Sequence, residues 1–229
     1  MLLFLEQNKT VYLIFYNLAQ FIGFLYILLV MAIRYSRDGA ESMPGTFDAV
    51  GNAIKFCQLI QYLEVMHPLF GYTKGGMLMP FIQVSGRNFV LFAMIDAEER
   101  MQTKPVIFFL FLMWSSVELI RYPYYITGLL KKNIGILTWL RYSIWIPLYP
   151  LGILCEGIVI LRNIPYFEET NRFSIEMPNA WNFIFDMPTF MKIYLLVLIL
   201  PGTYFMMNFM RKTRAKKLGA KSWKKNKLN

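Results

Sequence analysis

Apolar residues along most of this chain run together instead of alternating. Five runs, about residues 11–33, 77–96, 105–127, 135–161 and 188–210, hold few charges. Each approaches or exceeds the roughly 18 residues a helix needs to cross a bilayer. A sixth segment, about 48–70, reads differently. Lys55, Gln58, Gln61, Glu64 and His67 recur there every three residues, a drifting polar stripe on a helix. It is either a span facing a wet interior or an amphipathic helix lying on the membrane. The pattern predicts an all-α polytopic membrane protein with six transmembrane helices over residues 1–210, then a separate tail over 211–229.

Some polar residues interrupt the runs. Asn17 and Gln20, three apart, share a face expected to look inward. Gln83, Ser85 and Arg87 sit in the third span. Glu118 and Arg121 in the fourth have the spacing of an ion pair on one helical face. The linkers are "GYTKGG", "DAEERMQTK" and "KKN", and a longer polar loop is expected from Arg162 to about Met187. There is no internal repeat.

Composition agrees: 56% of residues are hydrophobic and 17% charged, against about 45–50% and 25% in soluble domains. The formal net charge of +10 is concentrated, because nine Lys and Arg and no acid follow Arg211 inclusive. Directly after an apolar run, such a tail reads as a cytosolic flank beside anionic lipid, not a nucleic-acid surface. Lys74, Lys131 and Lys132 fall on the tail's side of a six-span chain. Asp38, Glu41, Asp96, Glu98, Glu99, Glu168, Glu169 and Glu176 fall on the other. Both termini are therefore expected in the cytosol, and five spans would break the alternation. Val11–Ile33 is too long for a cleavable signal and is expected to remain as a span. Lys225 and Lys227, five and three positions from the end, resemble a dilysine signal for retrieval to the endoplasmic reticulum membrane.

The chemistry available is narrow. Cys57 and Cys155 each fall in an apolar segment and make no disulfide framework, and the single histidine, His67, leaves no zinc spacing. Leu63 and Leu161 stand six positions after the cysteines, where a phosphatase-type cysteine site needs arginine.

One stretch of the fifth span stands out, "RYSIWIPLYPLGILCEGIVI", Arg141 to Ile160. A carboxylate at bilayer depth costs roughly 2.5–3.5 kcal/mol on insertion scales, yet Glu156 lies inside it. Tyr142, Tyr149 and Glu156 are successive sevens, so all three are expected to share one face of the fifth span. Pro147 and Pro150 can bend that helix and open a cavity beside the pair. A tyrosine donates well at neutral pH and a desolvated carboxyl exchanges protons readily, so the two suit acid–base work on a lipid-soluble substrate. Other readings stand beside this one. Glu156 can be a structural partner of Arg87, Arg121 or Arg141. Tyr149 can be packing, its hydroxyl on a carbonyl freed by proline. The pair can also serve proton or ion transport, although only this span is interrupted and no matching half exists.

The run Leu140–Gly157, "LRYSIWIPLYPLGILCEG", resembles the signature of the 3-hydroxyacyl-CoA dehydratases, also called protein tyrosine phosphatase-like proteins. "LEVMHPLFG", "WSSVELIRYPYY" and "QVSGRNF" resemble three further family segments, with Gly86 separating Ser85 and Arg87, which the family segment holds adjacent. The likeness covers about residues 11–210. It implies dehydration of (3R)-3-hydroxyacyl-CoA to trans-2-enoyl-CoA, the third step of very-long-chain fatty acid elongation. It implies six spans, association with the other elongation enzymes, no metal and no redox cofactor. It maps the catalytic tyrosine and glutamate onto Tyr149 and Glu156. The preferred roles are Glu156 as base at the α-carbon and Tyr149 as donor to the departing hydroxyl; the reverse stays open. Arg121, Arg141 and Tyr142 are candidates for holding the substrate, the arginines through CoA phosphates or else as interface anchors. Glu64 and His67 are expected at a cavity mouth. A non-enzymatic scaffold of the elongation enzymes, or a transporter using Glu156, is the alternative.

Overall fold

The first apolar run forms one uninterrupted helix, α1 (Leu2–Asp38), in a computed structural model that describes residues 2–175, 177 and 182–219, the side chains of residues 2–5 excepted. The striped segment follows as two helices, α2 (Thr46–Ile60) and α3 (Leu63–Leu69). At the break, Tyr62, Glu64 and Val65 donate backbone N–H groups three residues back, so one tightened 3₁₀-type turn joins the two. Next come α4 (Leu78–Asn88), which runs on into π-helical turns over Phe89–Asp96, and the short α5 (Glu99–Gln102). Then come α6 (Val106–Leu129), α7 (Gly135–Ser143) and α8 (Trp145–Thr170). Helix α9 (Met187–Val197) passes through a π-helical turn, Leu198–Gly202, into α10 (Thr203–Leu218).

Five of these continuous segments are long and apolar enough to cross a membrane: Glu6–Ser42, Leu78–Asp96, Val106–Leu129, Gly135–Thr170 and Met187–Leu218. Among the described residues no strand forms, and a single antiparallel bridge joins Ile175 to Phe185. The chain is thus an all-helical, multi-pass membrane protein.

Burial is arranged as a bilayer demands. Phe15, Ile33, Phe56, Leu154 and Phe205 point outward, where hydrocarbon replaces water as their surroundings. The polar side chains turn inward, because lipid offers them no hydrogen bonds. Asn17 and Gln20 are buried as expected, and Gln20 donates to the Tyr16 hydroxyl and to the Cys57 carbonyl. The stripe on α2 and α3 also faces the interior: Gln58, Gln61 and His67 are buried. That burial is the one expected of a segment turned toward the bundle interior.

Helix α6 sits at the centre, packed against α1 and α8, while α1 also packs on α2 and α8 on α9. At Gly23 on α1 a methyl group would overlap the Cys57 sulfur. Glycine there lets α1 and α2 approach closely, the usual device of helix packing in membranes.

The fifth span is bent, as its prolines led one to expect: α7 and α8 are separate helices that meet at Ile144, so Tyr142 is parted from the face of Tyr149 and Glu156. Pro147 has no N–H for the Ser143 carbonyl and its ring crowds that carbonyl. The expected loop from Arg162 is also shorter, because α8 continues to Thr170. There Asn171 in left-handed conformation (φ 49°) ends it, donating its N–H to the Phe167 carbonyl. The lysines of the retrieval-like signal, Lys225 and Lys227, lie outside the described residues, as does Glu176.

Candidate active site

Helix α8 carries Tyr149 and Glu156 two turns apart, with Gly152 between them on the same face. Both side chains line one cavity of ≈ 360 Å³, enclosed by α4, α6, α8 and the α9–α10 segment. Gly152 is buried and lines it too. Its missing side chain keeps the wall open between the phenol and the carboxyl. Apolar residues such as Met113, Val117, Leu148, Val197 and Phe205 complete most of the lining, and Gln83, Arg87, Trp114 and Tyr194 add polar groups.

Glu156 is held by a neutral donor. Trp114 Nε1 of α6 donates to its Oε1 at 2.9 Å. No cation lies within salt-bridge distance of Glu156 among the described residues, because the arginines are engaged elsewhere. Arg87 Nη1 donates to Glu118 Oε1 at 2.6 Å. Arg121 Nε lies 2.7 Å from Glu118 Oε2, and its Nη2 donates to Glu64 Oε1 at 2.7 Å. The charges thus alternate as Glu64, Arg121, Glu118, Arg87 through the bundle interior, and each acid meets a cation. Arg87 ends this ladder with its guanidinium over the Trp114 ring at 5.6 Å, a cation–π contact that fixes the indole whose N–H holds Glu156. The paired reading of Glu156 therefore has no partner here.

Tyr149 is half-buried, its ring 6.4 Å from that of Trp145. Among the described residues no group hydrogen-bonds its hydroxyl, so the expected packing role on a freed carbonyl is not seen. A free phenol donor and an anchored carboxyl facing one apolar chamber can move two protons on a single substrate.

The other substrate-binding candidates sit elsewhere. Because the chain bends at Ile144, Tyr142 does not share the chamber with Tyr149; its hydroxyl meets that of Tyr124 at 3.2 Å. Arg141 places its guanidinium over the Tyr125 ring at 5.8 Å. Arg121 is buried in the ladder. All three stand behind the wall of a second, larger cavity of ≈ 720 Å³, whose lining includes Tyr16, Glu64, His67, Tyr124 and Tyr125. Glu64 and His67 do line a cavity, but this one, not the chamber of Tyr149. The Tyr12 hydroxyl lies 3.1 Å from His67 Nε2, and Glu64 Oε1 accepts from Tyr16, Tyr122 and Arg121.

Three site residues escaped the sequence reading. Trp114 had a signal, since Trp114, Glu118 and Arg121 are spaced i, i+4, i+7 on one helical face. Tyr194 had none: it reaches the chamber only because α9 packs beside α8. Its ring is fixed against Phe89 and Phe190 at 5.4 and 6.3 Å. Gly86 is tied to it, since a methyl at Gly86 would lie 3.1 Å from the Tyr194 hydroxyl. The glycine that interrupts "SGR" thus leaves room for a phenol. Among the described residues, no group of three His, Cys, Asp or Glu is arranged to hold a metal.

Comparison with known proteins points one way. The family model described as "Protein tyrosine phosphatase-like protein, PTPLA" matches residues 58–220. A Danio rerio protein named very-long-chain (3R)-3-hydroxyacyl-CoA dehydratase is 39% identical over 218 residues, 95% of this chain and 60% of its own length. The Homo sapiens dehydratase 3 is 39% identical over 96% of this chain and 60% of its own. The Homo sapiens dehydratase 4 is 34% identical over 97% of this chain and 95% of its own. The chain thus spans about three fifths of the first two relatives and nearly all of the third. No solved structure matches.

Proposed function

This chain belongs to the protein tyrosine phosphatase-like (PTPLA) family, and on that premise we propose that it removes water from long-chain (3R)-3-hydroxyacyl-CoA to give trans-2-enoyl-CoA, as its relatives' names describe. The observation that carries the reading is the single apolar chamber into which Tyr149 and Glu156 both face. An acyl chain is at home among its Met, Leu, Val and Phe side chains, and the two reacting groups stand on one wall.

In this reading the ionised Glu156 takes the α-proton, and the C–H electron pair becomes the new C=C bond as the β C–O bond breaks. Tyr149 gives its proton to the departing hydroxyl, which leaves as water. The proton on Glu156 then returns to the Tyr149 phenolate, directly or through water, and the site is restored. Trp114 keeps the carboxyl aimed at the substrate, and the charge ladder keeps arginine from pairing with Glu156 and quenching it as a base. The reverse assignment of acid and base uses the same atoms.

The α2–α3 pair is the sixth crossing in this proposal. Thr46–Leu69 as a helix spans about 36 Å, enough for a hydrocarbon core of about 30 Å, and its polar stripe is satisfied inside the bundle. Six crossings put both termini on the cytosolic side with Lys74, Lys131 and Lys132. An endoplasmic reticulum location and association with the condensing enzyme and reductases of elongation belong to the same proposal, as does a cytosolic role for residues 211–229.

The test is direct. The full chain, reconstituted in lipid, is incubated with a long-chain (3R)-3-hydroxyacyl-CoA and followed for the conjugated enoyl thioester. Product formed in proportion to protein supports a dehydratase. No product, from protein that is folded and still binds the thioester, leaves a scaffold instead.

A further inference from the structure

The larger cavity has a chemistry the small chamber lacks. Lys74, Lys131, Lys132 and Lys217 all line it, from three separate elements, and none has a carboxylate within salt-bridge distance among the described residues. The one acid in the lining, Glu64, is already satisfied by Arg121, Tyr16 and Tyr122. The cavity mouth therefore carries uncompensated positive charge.

At two of these lysines the backbone is held in place. Lys132 N–H donates to the Thr127 carbonyl at 2.9 Å and Lys131 N–H to the Gly128 carbonyl at 3.1 Å, the paired bonds of a Schellman cap on α6. The residue after the cap adopts left-handed conformation, where glycine is usual and a Cβ is strained. Here it is Lys131, at φ 56°. A lysine at that position gives up backbone comfort and sets a cationic side chain in the cavity lining.

We propose that this cavity binds phosphate esters, and specifically the phosphorylated nucleotide of an acyl-CoA thioester. Lysine ammonium groups are phosphate ligands as point charges. Helices α4 and α6 contribute to both cavities. On α4, Met79 lines the chamber and Pro80 the larger cavity; on α6, Val117 lines the chamber and Tyr124 the larger cavity. Seven residues of helix separate the latter pair, about 10 Å of rise. The pantetheine arm of CoA then lies between the lysines and the Tyr149 chamber. This assignment rests on the dehydratase reading and moves phosphate binding from Arg121 and Arg141, which are committed inside the wall, to the lysines of the rim.

The experiment uses the full chain in nanodiscs of neutral phosphatidylcholine, with adenosine 3′,5′-bisphosphate as probe in calorimetry. The parent binds it, and the double variant Lys131→Gln/Lys132→Gln binds roughly tenfold or more weakly, the worth of one charge-assisted hydrogen bond. In turnover the variant raises KM for 3-hydroxyacyl-CoA by a like factor with kcat retained, and the KM for the matching pantetheine thioester, which lacks the nucleotide, does not follow. Equal nucleotide binding by parent and variant, or none by the parent, overturns the assignment. So does a variant that loses only its binding to phosphatidylinositol-containing vesicles, since the lysines would then be serving lipid headgroups. Lysine-dependent nucleotide binding without any dehydration leaves the cavity standing and removes the enzyme reading alone.

Discussion

The indole N–H of Trp114 points at Glu156 Oε1 from 2.9 Å away, tying the central helix to the carboxyl that the proposed reaction uses. Behind the indole, Arg87 lies over its ring while pairing with Glu118. Replacing Trp114 by Phe keeps a ring for Arg87 and removes the donor, at the cost of some buried volume. A hydrogen bond to a charged group is worth about 1.5–3 kcal/mol, so kcat is expected to fall roughly ten- to a hundredfold. Steady-state turnover in reconstituted membranes, with thermal unfolding as the check on folding, measures this.

Tyr149→Phe and Glu156→Gln separate chemistry from stability. The Tyr149 hydroxyl has no partner among the described residues, so its loss is expected to leave the unfolding temperature within about a degree or two. Turnover is expected to drop by about 100 to 10,000-fold in each variant, the usual worth of one acid–base group. A Tyr149→Phe enzyme working at the parent rate would sink the assignment.

Gly86 and Tyr194 are predicted to be coupled. Gly86→Ala places a methyl against the Tyr194 hydroxyl, at a distance tight enough that the phenol must shift by a few tenths of an ångström. Turnover is expected to fall severalfold in Gly86→Ala, and to be insensitive to the same change once Tyr194 is Phe. Additive losses in the double-mutant cycle would mean that the two sites act independently.

Glu118 carries the ladder, since Arg87 and Arg121 both depend on it. Glu118→Ala leaves two buried cations short of an acid, which costs about 3–5 kcal/mol. Thermal unfolding in detergent is expected to show a large drop, with turnover lost in step. A variant of parental stability and normal turnover would show that the ladder is dispensable.

At the opposite end from the lysine rim, Glu98 caps α5 and Arg100 bridges it to Glu169. Hydrogen bonds from Arg100 hold the Glu98 carboxyl below the ordinary glutamate value. A depressed folded pKa stabilises fully above the unfolded value, about 4.3, and the benefit disappears as pH falls through the folded one. The parent is therefore expected to lose stability below about pH 4.3 relative to Arg100→Gln, by under about 1 kcal/mol because Arg100, its partner, is exposed to solvent screening. Unfolding temperatures of the two proteins against pH give the comparison, and curves that stay parallel down to pH 3 would contradict it.

Local periodicity determined much of this protein. A bilayer demands length and apolarity from each crossing segment by itself, so the spans are legible in single runs of residues. Tyr149 and Glu156 share a face because seven residues make two helical turns, which needs no tertiary information. The inward turn of Gln58, Gln61 and His67 was half legible: their three-residue spacing marked a stripe, but a wet interior and a membrane surface predict the same spacing. Tertiary structure alone decided which charges meet. Arg87 reaches Glu118 across thirty-one positions, and that pairing, not anything near Glu156, leaves Glu156 to an indole. It also decided that Tyr142 parts from Tyr149 at the bend before Pro147, that Tyr194 comes over Gly86, and that lysines from three distant segments surround one cavity. Such neighbours are set by how helices pack side by side, and a helix's own sequence records only which of its faces must be covered.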